Sequence, residues 1–222
     1  MIDWKEVDTV LLDMDGTLLD LHFDNYFWLE HVPKVYSRKF ELPLADATHH
    51  LYQLFDSRRG TMEWYCIDYW SEQLQLDIAH MKHDINEKIA VRPHVPEFLD
   101  ALRKNGKQII LVTNAHRSSL DLKMQKTGLG LSFDAIVSAH DYGMPKEKPE
   151  LWKILQSEHH FLPSSSLLVD DTESVLDSAR SHGIRHLITI SQPDSRNPVR
   201  SGLAYPAIMH FDEIMPDVTV IS

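Results

Sequence analysis

Hydrophobic positions along this chain fall into two alternating textures. Short apolar runs rich in β-branched residues recur as TVLLD (9–13), QIILVTN (108–114), AIVSA (135–139), SLLVDD (166–171) and HLITI (186–190). Runs of this length, bounded by polar residues, predict buried strands. Between them lie patterns of helical period: VPEFLDALRKNG (95–106), RSSLDLKMQKTG (117–128), PELWKILQSEHH (149–160) and ESVLDSARSHG (173–183). Three of these end on glycine, a helix-stop signal. Strands alternating with helices predict an α/β fold with a doubly wound parallel sheet.

Residues 20–91 break the alternation. Aromatic and long side chains recur there at helical spacing, as in Tyr26, Phe27 and Trp28, then Trp64, Tyr65, Tyr69 and Trp70. No convincing strand is visible. The pattern predicts two to four inserted helices, punctuated at Pro33, Pro43 and Arg59-Gly60. The expected division is a core of residues 1–19 and 92–222 with a helical cap over 20–91. The tail after 191 is rich in Pro, Ser, Asn and Asp, which predicts loops and one short helix at FDEI (211–214).

Charge and composition narrow the function. The 222 residues carry 22 basic and 33 acidic side chains, a formal charge of −11. That disfavours a binder of nucleic-acid polymer, whose affinity rests on basic patches. A small anionic substrate stays compatible, because it responds to the local field of a site. No apolar run approaches the ~18 residues a membrane span requires. The N-terminus lacks a secretory pattern, and Cys66 is the single cysteine. Both fit a cytoplasmic protein. Among 14 histidines, His80/His83 and His182/His186 have chelating spacings. Gly183 ends a helix between the latter two, so they are not expected to share a helical face.

The strand ends hold the candidate chemistry. The first apolar run closes on Asp13-Met14-Asp15-Gly16-Thr17, the second on Thr113-Asn114, and the fourth on Asp170-Asp171. Lys146 follows the third in GMPKEKP. In a parallel sheet these ends share one edge, where open α/β sheets bind ligands. Asp13 and Asp15 repel unless a cation lies between them or one is protonated. A metal, a proton-transfer role, or both would answer that repulsion.

Taken together, DMDGT, Thr113 in LVTN, the lysine and the VDD pair resemble the four motifs of the haloacid dehalogenase-like hydrolases, most of which are phosphatases. The resemblance implies a Rossmann-like core, a helical cap after the first strand, and Mg²⁺. It also implies that Asp13 attacks phosphorus and forms an aspartyl-phosphate, which splits a slow hydrolysis into two easier steps. Asp15 would protonate the leaving alkoxide and then activate water. Its presence favours an oxygen leaving group over halide.

By the same resemblance, the metal is held by Asp13, the Asp15 backbone carbonyl and Asp171. Asp170 is a second ligand or accepts from metal-bound water. Lys146 is preferred to Lys148 because it lies six residues before Trp152, as in relatives. Thr113 and the Asn114 N–H would bind phosphate oxygens. The segments DLHFDNYFW (20–28), EWYCIDYWSEQLQLDI (63–78) and TNAH (113–116) resemble the bacterial GMP/IMP nucleotidase branch. Aromatic residues of the inserted helices could stack on a planar base, which makes Trp64, Tyr65 and Tyr69 candidate substrate contacts, with Asn25 and His116 as candidate polar ones. The expected activity is a 5′-nucleotidase for purine monophosphates. Alternatives are a phosphatase of sugar phosphates or phosphoglycolate, a sugar-phosphate mutase, or a non-catalytic binding protein on the same fold.

Overall fold

The computed structural model describes residues 2–217. The predicted strands form β1 (Thr9–Leu12), β2 (Gln108–Thr113), β3 (Ala135–Ser138), β4 (Ser166–Val169) and β5 (His186–Ile190). A sixth, β6 (Ala207–Ile208), was expected as loop; at two residues it is too short to show a period. The sheet is parallel throughout, in the order β3-β2-β1-β4-β5-β6.

Side-chain alternation sends each strand's residues to two cores. Val10, Leu12, Ile109, Leu111, Leu167 and Val169 join one. Leu11, Ile110, Val112 and Leu168 join the other. Both faces are covered, so the strands read as unbroken apolar runs rather than alternating ones.

The helical segments before β2 are α1 (His22–Tyr26), α2 (Val32–Lys39), α3 (Leu44–Asp56), α4 (Met62–Tyr65), α5 (Ile67–Leu74) and α6 (Ile78–Asp84). After them come α7 (Val95–Lys104), α8 (Arg117–Thr127), α9 (Pro149–His159) and α10 (Glu173–His182). Residues of α7 and α8 pack with the first core, and those of α9 and α10 with the second.

The inserted segments exceed the expected two to four. Pro33 does not separate helices: α1 runs into α2 through a π-helical turn, Phe27–His31. Proline removes the donor that would bond the Leu29 carbonyl. The Tyr52 hydroxyl donates to that carbonyl instead, at 3.2 Å. Pro43 does mark a boundary, immediately before α3, and Arg59-Gly60 falls in the turn after it. The chain enters and leaves this region as one antiparallel pair, Leu19 bridging Val91. Phe23, Phe27, Leu51 and Trp70 continue the first core into it. The tail carries the expected short helix, Phe211–Ile214, as a single 3-10 turn. Among the described residues, no helix is long and apolar enough to cross a membrane.

Candidate active site

The parallel register brings the carboxyl ends of β1, β2 and β4 to one edge. Asp13 and Asp170-Asp171 follow β1 and β4 directly, and Thr113 closes β2 with Asn114 after it. Asp13 is anchored by its own N–H, which donates to the Val169 carbonyl at 3.0 Å. The turn after it is tight. Gly16 has φ +86°, and its N–H donates to Leu19 O at 2.8 Å. A Cβ at Gly16 would lie 2.6 Å from Asp171 Oδ2, so glycine alone lets the two loops close on each other.

The Lys146 ammonium is buried between two carboxylates. It donates to Asp13 Oδ1 at 2.5 Å and to Asp170 Oδ2 at 2.6 Å. Lys148 is exposed, consistent with the choice of Lys146. Trp152 Nε1 donates to the Lys146 carbonyl at 3.0 Å, which explains the six-residue spacing. The Asn114 side chain braces the same loop. Its Oδ1 accepts the Lys146 N–H at 2.9 Å, and its Nδ2 donates to Glu147 Oε2 at 3.0 Å. Glu147 also accepts the Tyr65 hydroxyl at 2.8 Å. Thr113 Oγ1 accepts the Ala115 N–H at 3.0 Å, which orients the hydroxyl.

Asp13, Asp170 and Asp171 each present an oxygen within 4.8 Å of the others'. Burial is the main force raising their pKa values. Asp13 is pushed up to about 7, with Lys146 pulling back and Asp170 adding to the rise. Asp171 reaches about 7, pushed by burial and then by Asp13. Asp170 reaches about 6, with Lys146 opposing burial and Asp171 reinforcing it. Lys146 pairs with Asp13 and Asp170, Asp171 adds a third carboxylate beside them, and Asp13 Oδ2 is buried without a hydrogen-bond partner. A hard, oxygen-seeking dication such as Mg²⁺ fits this donor set.

The Asp15 side chain turns away from that cluster. Lys123 Nζ lies 2.7 Å from Asp15 Oδ1, a close charge contact outside hydrogen-bond geometry. The same ammonium donates to Asp24 Oδ2 at 2.6 Å, and Lys82 Nζ donates to Asp24 Oδ1 at 2.7 Å. Burial holds Asp15 above the ordinary carboxylate range, with Lys123 opposing and Asp24 reinforcing the rise. Burial also disfavours charge on Asp24, but Lys123 and Lys82 outweigh it and hold Asp24 well below that range. Lys82 sits 4.8 Å from the Phe27 ring centroid and 5.1 Å from that of Phe23.

Asp24, Lys82 and Lys123 were not among the expected site residues. The sequence did carry a signal: each is a charge set among apolar neighbours of its helix, Asp24 between Phe23 and Phe27, Lys82 beside Met81, and Lys123 between Leu122 and Met124.

A cavity of about 660 Å³ opens from Asp13 and Asp15 toward α1, α3, α4 and α5. Of the candidate substrate contacts, Asn25, Trp64, Tyr65 and His116 line it, together with Trp28, Phe55, Arg59 and Trp70. Asn25 is fixed by donating to Asp194 Oδ2 at 2.7 Å. Tyr69 is a correction. It does not line the cavity; its hydroxyl accepts from Arg58 Nε at 2.8 Å, and its ring packs edge-on to Trp70. Helical spacing located the aromatic stripe but not which side of α5 each ring takes. Neither histidine pair joins a group of three metal-ligating side chains among the described residues.

This arrangement agrees with what the chain is similar to. The family model described as haloacid dehalogenase-like hydrolase matches residues 7–183. The chain belongs to that family and is an enzyme, a hydrolase. It is 40% identical over 217 residues to the GMP/IMP nucleotidase YrfG of Escherichia coli, covering 98% of each chain. It is 32% identical over 172 residues to the pyrophosphatase PpaX of Bacillus velezensis, covering 75% of this chain and 76% of that one. Among solved structures, a HAD phosphatase from Thermococcus onnurineus superposes with a TM-score of 0.79 at 23% identity, over 94% of this chain and 96% of that one. That likeness supports the fold alone.

Proposed function

We propose that the protein is a Mg²⁺-dependent phosphomonoesterase, a 5′-nucleotidase for purine nucleoside monophosphates such as GMP and IMP. One observation carries the chemistry. At the floor of the cavity, Asp13 offers one carboxylate oxygen to Lys146 and keeps the other free of partners. A carboxylate oxygen so held is a positioned nucleophile that needs no base. The identity of 40% over 98% of the chain to a GMP/IMP nucleotidase supports the substrate.

Asp13 Oδ2 attacks phosphorus, the ester P–O bond breaks, and an aspartyl-phosphate forms. Asp15, whose pKa burial raises, gives a proton to the departing nucleoside oxygen. The same carboxylate then removes a proton from water, which hydrolyses the acyl phosphate. The Thr113 hydroxyl and the Asn114 N–H receive phosphate oxygens. Lys146 offsets charge on Asp13 and the phosphate as a fixed point charge. Asp13, Asp170, Asp171 and the Asp15 carbonyl would hold Mg²⁺, which supplies electrostatic stabilisation of the phosphoryl oxygens.

Residues 20–91 act as the cap over a core formed by the described residues 2–19 and 92–217. The cap supplies the walls where Trp28, Trp64, Phe55 and Trp70 offer apolar surface to a planar base. Such a closed site takes a small phosphorylated metabolite rather than a phosphoprotein.

The test is phosphate release from nucleoside monophosphates, sugar phosphates and phosphoglycolate, with Mg²⁺ and with EDTA. Release from GMP and IMP that EDTA abolishes is the expected result. Release mainly from sugar phosphates would keep the chemistry and discard the nucleotide. Slow release with an isomerised product would make the enzyme a mutase.

A further inference from the structure

Cys66, His116 and His140 reach one point from three separate elements. Cys66 caps α5, its Sγ accepting the Tyr69 N–H at 3.4 Å. His116 caps α8, just after β2. His140 lies in the 3-10 turn Ala139–Tyr142, after β3. One ligand atom from each lies within 4.8 Å of the others. The two imidazole rings meet edge to face with centroids 5.1 Å apart. All three residues are partly buried.

The donor set differs in kind from the acidic cluster. Asp13, Asp170 and Asp171 offer hard oxygens. One thiolate and two imidazoles select a borderline or soft cation and discriminate against Mg²⁺. Two further features point to a ligand. His140 Nε2 is buried without a hydrogen-bond partner, a costly state for a ring nitrogen. Asp68 Oδ2 lies 3.4 Å from His116 Nε2. A carboxylate there can orient a ligating imidazole or complete a four-coordinate set, as zinc sites use.

The position gives the cluster a consequence. Cys66 belongs to the inserted helices, while His116 and His140 belong to loops at the sheet edge. His116 and Tyr65, the residue before Cys66, both line the cavity. A cation held by all three would tie α5 to the core beside the substrate. Product release from a capped site requires the cap to loosen, so such a tie slows turnover.

We propose that Cys66, His116 and His140 form a binding site for Zn²⁺ or a similar borderline dication, and that its occupancy restrains the cap and inhibits the enzyme. Binding releases the Cys66 thiol proton to solvent and leaves a metal-bound thiolate. The inhibitory half rests on the phosphatase reading; the binding half does not.

Co²⁺ is the probe, added to the full chain in saturating Mg²⁺. One equivalent should produce a thiolate-to-cobalt charge-transfer band, and Zn²⁺ should bleach it. Cys66→Ser should abolish the band while keeping the melting temperature, since serine also caps a helix. His140→Ala should weaken Co²⁺ binding by about tenfold or more, as expected for a lost ligand. Absence of the band in the wild-type protein overturns the site. So does a band that His140→Ala leaves at full affinity.

The inhibitory half is read from phosphate release with Zn²⁺ and Mg²⁺ together. Zn²⁺ should inhibit the wild-type enzyme at concentrations that spare Cys66→Ser. Equal inhibition of both places the effect at the acidic cluster and overturns the restraint. If no substrate releases phosphate at all, the phosphatase reading has failed, and the cobalt band still decides the site.

Discussion

Two buried lysine clusters flank the cavity floor, and they balance charge differently. Lys146 stands between Asp13 and Asp170, with Asp171 alongside, so three carboxylates face one ammonium. All four groups come from strand ends or the loop after β3. The other cluster sets Lys123 and Lys82 against Asp15 and Asp24, two charges of each sign. Its members are split: Asp15 and Lys123 follow β1 and β2, while Asp24 and Lys82 lie in α1 and α6. The first cluster is left negative, which suits a cation and a phosphoryl group. The second is self-neutralising and needs no ligand to close. Its bonds cross from the sheet edge to the inserted helices, so the seating of those helices and the state of Asp15 are physically linked.

The sharpest break of this comparison is at Asp13. Asp13→Asn should lower phosphate release on the order of 10⁴-fold, because the amide is a poor nucleophile. Thermal stability should hold or rise, since one repelling charge leaves the negative cluster. Normal turnover by a folded variant would remove Asp13 from its role.

Lys123→Met tests the other cluster. It strips Asp15 and Asp24 of a shared, 1%-exposed partner. Denaturant unfolding should show a loss of about 3 to 5 kcal/mol, typical for breaking a buried pair from one side. Adding Asp24→Leu and Lys82→Met should recover much of that loss, because the remaining cap charges leave together. A single variant as stable as wild type would mean the cluster does not hold the cap.

Acidity separates the clusters without mutation. The raised pKa values of Asp13 and Asp171 (about 7) and of Asp170 (about 6) mean that the folded chain binds more protons than the unfolded one. Stability from these groups is full below the ordinary carboxylate range. It is lost as pH climbs through about 6 to 7. In EDTA the melting temperature should therefore fall between about pH 5 and about pH 8. Mg²⁺ should raise it more at the higher pH. A Mg²⁺ effect of equal size at both would deny the acidic cluster that role.

The smallest expected effect is at the cavity wall. Trp64→Ala should lower kcat/KM for GMP by about tenfold, as loss of one stacking partner would. Hydrolysis of p-nitrophenyl phosphate should change less. Equal losses on both substrates with a lower melting temperature would place Trp64 in the cap core.

The strand-end motifs were legible because a parallel sheet converts sequence order into place. Once five apolar runs alternate with helices, Asp13, Thr113 and Asp170-Asp171 must share an edge, while the preference for Lys146 over Lys148 came from the family resemblance, through the six-residue spacing to Trp152. The cap was less legible. Pro33 signals a break, yet a π turn and the Tyr52 hydroxyl absorb it. Tyr69 and Trp64 share one aromatic stripe, and only packing turns one away from the cavity and the other toward it.

By itself the sequence determined the α/β class, the five longer strands in their order and which candidate residues gather at the sheet edge. These depend on local period and on the direction every parallel strand shares. Tertiary structure alone decided that Asp15 faces Lys123, that Asp24 and Lys82 complete a cluster across the cap, and that Cys66 meets two histidines. Those contacts join residues far apart in the chain, and no repeat or spacing encodes the angle at which one packed layer sits on another.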